Sequence, residues 1–277
     1  MKNTKLPFIF VFDIDNCIIG NVKWPINENI ILDEINKLNK SKKKIDFTNY
    51  LKKGLLRPYF KKFIKFIKKN YDNTEIYVYT NSSNYWTNNG LVSNIEKALG
   101  HKFNKPYYSS EYSYQNMQKS LSNIYNNMLI NLSKKYPLLK NTEYSNYVFN
   151  NNLIFIDNLP YNVYDYPFKQ LLCPSYDWSI PYDIQKKIIN NYKINSKIFN
   201  NPIIIKKMND LEIPYLNNSN VNKVAKLYHK YILLYQYNTF KNTKKDYYFK
   251  NLITIMKKYK IKNFNQNNIK KLNNLIN

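Results

Sequence analysis

Two short, unbroken apolar runs of this chain each end in acidic side chains: Phe8 to Phe12 leads into Asp13-Ile14-Asp15-Asn16-Cys17, and Leu153 to Ile156 leads into Asp157-Asn158. A strand buried on both faces of a parallel sheet is apolar throughout, and open α/β sheets gather their ligand chemistry just beyond the carboxyl ends of such strands. Two distant segments are thereby expected to bring three carboxylates and an amide to one spot, a donor set suited to a divalent cation. Asp or Asn after a single strand is most often a turn cap. Asp13 and Asp15 are harder to read that way, because two close carboxylates repel unless a cation or a proton lies between them.

The remaining pattern fits the same core. Pro58 opens a helix in which Phe60, Phe63, Ile64 and Ile67 form one stripe with lysines opposite, and Ile76 to Tyr79 reads as a second central strand ending in Thr80-Asn81-Ser82-Ser83. Glu28 to Lys40, Leu91 to Leu99 (stopped by Gly100) and Gln118 to Lys134 read as helices, Asn141 to Asn152 as a polar loop, and Lys169 to Cys173 as a fourth strand. Alternating strands and helices predict a doubly wound, mainly parallel α/β sheet over residues 1–200, with a helical insertion near 115–140. Beyond residue 200 the stretches Asn220 to Tyr237, Asp246 to Lys260 and Asn265 to Ile276 are helical and basic, so 201–277 reads as a helical C-terminal extension.

A length of 277 residues suffices for one large α/β domain with such an appendage. The formal charge of +25 points towards polyanionic or phosphorylated partners. That signal is diluted by composition: Asn, Lys, Ile and Tyr abound while Gly, Ala and Arg are scarce, as in an AT-biased genome such as that of a large DNA virus. The lysines are also spread over helical surfaces rather than gathered in one tract. Cys17 and Cys173 are too few for a disulfide framework, and no apolar run approaches the roughly 18 residues of a membrane span, so a reduced intracellular setting, cytoplasmic or nuclear, is expected. The sequence does not specify an oligomeric state.

Several chemistries are excluded by their missing parts. Lys23 and Ser179 stand where a cysteine phosphatase would need arginine after Cys17 and Cys173, and His101 and His229 are too isolated for a zinc site or a Ser-His-Asp triad. No glycine-rich phosphate loop is present. A carboxylate, by contrast, can attack phosphorus and form an aspartyl-phosphate. Asp13 is the candidate nucleophile, Asp15 the acid/base, and Thr80 a donor to a phosphoryl oxygen from its hydroxyl or backbone. Mg2+ would be held by Asp13, a carbonyl near Asp15 and the Asp157/Asn158 pair.

These residues carry a resemblance. Phe12 to Cys17, Tyr79-Thr80-Asn81 and Ile156-Asp157-Asn158 resemble the first, second and fourth motifs of the haloacid dehalogenase-like (HAD) phosphohydrolases. Leu56-Arg57-Pro58-Tyr59 and Asp157-Asn158-Leu159-Pro160, followed by Pro174 and Pro181, are most similar to the FCP/SCP type of protein serine phosphatase, over about residues 6–190. The resemblance implies Asp13, Asp15 and Asn158 as magnesium ligands, with Asp157 in or beside that shell, and a third-motif lysine. Lys119 has the right surroundings but a long interval to Asp157, whereas Lys140 has the usual interval and poorer surroundings. Cys17 replaces the usual Thr or Val of the first motif, and Asn21 to Leu56 lacks the hairpin found near the substrate cleft of that type.

The implied substrate is a phosphoprotein on Ser or Thr. A nucleic-acid end, with Tyr247-Tyr248 and Lys244-Lys245 as contacts, a small phosphometabolite, or a binding module with little catalysis are the alternatives.

Overall fold

The computed structural model describes residues 5–20, 47–82, 84, 87–114, 118–178, 201–203, 206 and 246–276. Four parallel strands form its centre: β1 (Ile9–Phe12), β2 (Glu75–Val78), β3 (Leu153–Asp157) and β4 (Gln170–Leu172), in the spatial order β2-β1-β3-β4. Every residue of β1, β2 and β3 is buried, as their apolar runs require when both faces are covered. The chain is α/β with a parallel sheet.

Helices α1 (Phe60–Asn70), α2 (Val92–Leu99), α3 (Leu121–Lys135), α4 (Thr142–Asn152), α5 (Tyr248–Lys258) and α6 (Gln266–Ile276) surround the sheet. Alternation along each strand sorts its side chains between two layers. Ile9, Val11, Tyr77, Tyr79, Leu153 and Phe155 pack with Leu121, Ile124, Tyr125 and Met128 of α3 and Val148 and Phe149 of α4. On the opposite face Phe10 and Phe12 meet Phe63 and Phe60 of α1 edge-on, and both α1 rings meet Phe249 of α5 at 4.9–5.2 Å. Helices therefore lie on both faces.

Two local features differ from expectation. The stretch 141–152 is helix α4, not a loop: Asn141 caps it by accepting from the Glu143 N–H, and Ser145, Val148, Phe149 and Asn152 recur at helical spacing on its buried face. Its many Asn and Tyr side chains hide that stripe. Helix α1 starts at Phe60 rather than Pro58, because Tyr59 adopts φ 64° as the third residue of a turn closed by Phe60 N–H to Arg57 O. Gly100 ends α2 as expected, at φ 66° with its N–H on Glu96 O.

The chain divides into two compact units, and not at residue 200. One comprises Met1–Gly20, Leu56–Tyr176 and Lys245–Asn277, the other Asn21–Leu55 and Asp177–Lys244. Helices α5 and α6 belong with the sheet because Phe249, Leu252, Met256, Ile269 and Leu272 are buried there. Asn273 of α6 completes the edge strand, accepting from Leu172 N–H and donating to Gln170 O. In the second unit the Trp178 indole lies so close to Gly54, at φ 126°, that a Cβ would come within 2.8 Å of it. The expected helices at 28–40 and 220–237, together with Pro181, His229 and Lys244-Lys245, lie outside the described residues. Among the described residues no helix is long and apolar enough to cross a membrane.

Candidate active site

Register fixes the heart of the site. Phe12 pairs with Ile156, and Asp13 N–H donates to Ile156 O at 2.9 Å, so Asp13 and Asp157 leave neighbouring parallel strands side by side. By the same alternation that directs Val11 and Phe155, both carboxylates project toward the α3 layer. Lys119, immediately before α3, meets them there: its Nζ lies 2.5 Å from Asp13 Oδ1 and 2.8 Å from Asp157 Oδ2. Lys119 is 1% exposed and Asp157 is fully buried, while the Tyr79 and Phe155 rings flank the ammonium with centroids at 5.6 and 5.1 Å. Lys140 is exposed at the end of a short turn, Pro137–Lys140. The long interval from Lys119 to Asp157 is filled by α3 and α4.

Two carboxylates on one ammonium would leave the buried cluster with an excess negative charge if both were ionised. Burial pushes the Asp13 carboxyl up, Lys119 draws it back and the neighbouring Asp157 and Asp15 raise it again, to about 8. For Lys119 burial acts downward, but the two carboxylates outweigh it and hold the ammonium above its ordinary range.

Asp15 sits apart from this triad. Its Oδ2 accepts from Thr80 Oγ1 at 3.0 Å and from Ser82 Oγ at 2.8 Å, while no hydrogen bond reaches its Oδ1 among the described residues. Asn16 turns the chain at φ 56°, and the N–H groups of Cys17, Ile18 and Ile19 all return to Ile14 O. Thr80 is fully buried and its N–H is taken by Tyr108 O, which removes the backbone donor expected of it; its hydroxyl also accepts from Ser82 N–H. Thr80 and Ser82 thus orient Asp15.

The expected gathering of three carboxylates takes a different form. Among the described residues no three His, Cys, Asp or Glu side chains stand close enough to hold a metal ion. Asp157 is committed: Oδ2 also takes Asn162 Nδ2, and Oδ1 takes the Leu159 N–H. Asn158 is different, since its Nδ2 donates to Ser175 Oγ but its Oδ1 is buried without a partner. Lys119 is bonded to Asp13 Oδ1, and among the described residues no hydrogen bond reaches Asp13 Oδ2. A hard cation would satisfy the buried Asn158 Oδ1 and could share the Asp13 carboxylate, so Asp13 and Asn158 fit Mg2+ better than Asp157, whose oxygens are both engaged.

Sequence reading missed Ser82, Asn162 and Asp165. Ser82 follows Thr80 by two residues and could have been paired with it. Asn162 and Asp165 carry no motif, because they act from an irregular loop between β3 and β4.

The free thiols of Cys17 and Cys173 are buried, with Sγ atoms 3.4 Å apart. Arg57, the one arginine among 43 basic residues, is buried beside them. Its Nη1 donates to Cys17 O at 3.0 Å and its Nε and Nη2 to Asp246 Oδ2 at 3.1 and 2.8 Å, with the Tyr248 ring 4.8 Å away. Tyr248 is therefore core, not a stacking platform.

No protein-family model and no curated protein matches the sequence. Among solved structures the chain is similar to that of Fcp1, described as an essential RNA polymerase II CTD phosphatase, at 13% identity and a TM-score of 0.35, covering 95% of this chain and 69% of that one.

Proposed function

We propose that the chain is a phosphomonoester hydrolase that works through an aspartyl-phosphate on Asp13. The observation that carries this reading is the Asp13–Lys119–Asp157 cluster at the ends of adjacent strands, with Asp15 held by Thr80 and Ser82 two residues beyond Asp13. A buried diacid that only served stability would be expected to have one cation per carboxylate.

One carboxylate oxygen of Asp13 attacks phosphorus, a P–O bond forms, and the bond to the departing alcohol breaks. Asp15 gives that alcohol its proton. Because Oδ2 already accepts two hydroxyls, Oδ1 is the oxygen that carries the proton. Asp15, now ionised, takes a proton from water as the water oxygen attacks the phosphoryl group, which releases phosphate and restores Asp13. Lys119 neutralises charge on the phosphoryl oxygens and on Asp13 throughout. Mg2+ held by Asp13, the Asp15 carbonyl and Asn158 Oδ1 would supply the positive charge that keeps Asp13 ionised beside an anionic substrate.

A phosphoprotein bearing phosphoserine or phosphothreonine is the proposed substrate, supported by the motif resemblance at Leu56 to Tyr59 and Asp157 to Pro160. The test is release of phosphate from an aryl phosphate with Mg2+, abolished by EDTA and by Asp13→Asn. A phosphopeptide turned over faster than a 5′-phosphorylated oligonucleotide would support the protein substrate, and the reverse order would assign the nucleic-acid end.

A further inference from the structure

The loop that follows β3 grips Lys119 from several sides. Lys119 N–H donates to Asn162 O at 2.8 Å, and Tyr164 N–H donates back to Lys119 O at 2.8 Å. Asp165 then accepts from the three residues that follow the lysine: Ser120 Oγ at 2.9 Å, Leu121 N–H at 2.6 Å, Ser122 N–H at 3.1 Å, and Ser122 Oγ. Its carboxylate satisfies the first two N–H groups of α3, Ser120 Oγ takes the third from Asn123, and the carboxylate faces the positive end of that helix. Asn162 completes the grip, donating from Nδ2 to Asp157 and accepting on Oδ1 from Asn81 Nδ2 at 3.2 Å.

This arrangement answers a specific difficulty. A lysine side chain has four rotatable bonds, and Lys119 must bring one ammonium within 2.8 Å of two carboxylates on two strands. That requires its Cα to be fixed against the chain beyond β3, although Lys119 itself lies outside any regular element, just before α3. We propose that Asp165 is a positioning residue: by binding the start of α3 to the β3–β4 loop, it sets where the Lys119 ammonium lies between Asp13 and Asp157. The proposal rests on the reading of Lys119 as the group that neutralises phosphoryl charge.

The experiment compares Asp165→Asn in the wild-type and in the Lys119→Met background, and follows the Lys119 ammonium by 15N NMR. Asn keeps one acceptor and the side-chain size but loses the second acceptor and the charge. The expected result is a fall in kcat of about 10- to 100-fold in the wild-type background, no further fall when Lys119 is already Met, and a shifted or exchange-broadened Lys119 resonance. A purely structural cap would lower kcat by the same factor in both backgrounds and leave the resonance in place, which would overturn the proposal. If Asp165→Asn does not fold, Ser122→Ala, which removes one of the four bonds, carries the same comparison with a smaller effect. Absence of magnesium-dependent phosphate release from the wild-type protein would sink the proposed reaction alone, and the resonance would then decide the positioning by itself.

Discussion

At the level of single residues, Asp13 and Lys119 affect stability in opposite directions while both serve the proposed chemistry. Lys119→Met leaves two buried carboxylates facing each other without a cation. That loss is expected to cost about 3–5 kcal/mol, read as a fall in the denaturation midpoint in magnesium-free buffer. Asp13→Asn removes the excess negative charge and leaves Lys119 and Asp157 as a one-to-one pair, so its midpoint should equal or exceed that of the wild type while kcat falls by at least about 10³. Equal destabilisation by both substitutions would show that the cluster carries no surplus charge. Asp13, Asp15 and Asn158 were legible in the sequence because strand ends advertise themselves as apolar runs followed by acids. The choice between Lys119 and Lys140 was not, because it depends on how much chain α3 and α4 absorb. Asp165 left no trace, since its meaning lies wholly in which helix terminus the loop happens to meet.

Between elements, the C-terminal helices are held to the sheet by buried polar contacts as well as by rings. Arg57 donates two bonds to one oxygen of Asp246 and one to Cys17 O, with Tyr248 against its planar face. In so lysine-rich a chain, a planar five-donor group is needed to make those contacts together, and Arg57→Lys cannot replace it. Asp246→Ala, which leaves that guanidinium unpaired, should destabilise by about 3 kcal/mol in urea titration, and Arg57→Met with Asp246→Ala should recover part of the loss. Lys169 makes a second tie, from Nζ to Asn150 O and Phe264 O at 2.5 and 3.0 Å, with no carboxylate partner among the described residues. Burial lowers its pKa to about 8 from 10.5. Between those values the unfolded chain holds the proton more often than the folded one, so this residue's contribution to stability rises as pH goes from about 8 towards 10. The midpoint of wild type relative to Lys169→Met should therefore increase between pH 7 and pH 9.5, and an unchanged difference would mean the ammonium stays charged. Strands and the more strongly amphipathic helices were readable from periodicity, whereas α4 was not, because half of its buried stripe is polar. That α5 and α6 return to the first unit was not, because their basic composition resembles an appendage and their packing is set by long-range contacts, the rings of Phe249 and Phe264 and the Asn273 side chain on β4.

Across the whole molecule, a local and a global field oppose each other. Once Asp13 is ionised, as attack requires, the proposed centre is negative, since Asp13 and Asp157 outnumber Lys119, and an approaching phosphate dianion would be repelled by it. The chain as a whole carries a formal +25. Whatever codon bias contributed to that number, the lysines exert the same electrostatic force, and those exposed among the described residues raise the local concentration of anions. Screening distinguishes the two fields, because the Debye length shrinks from about 10 Å at 0.1 M salt to about 3 Å at 1 M. Surface lysines act across many ångströms of solvent and are screened. The Asp13–Lys119 contact is dry and is not. Raising KCl from 20 to 500 mM should therefore raise KM for an aryl phosphate by about 3- to 10-fold and leave kcat nearly constant. A kcat that fell with salt while KM held would place the salt-sensitive step at the buried cluster, and the dispersed lysines would then have no part in substrate capture.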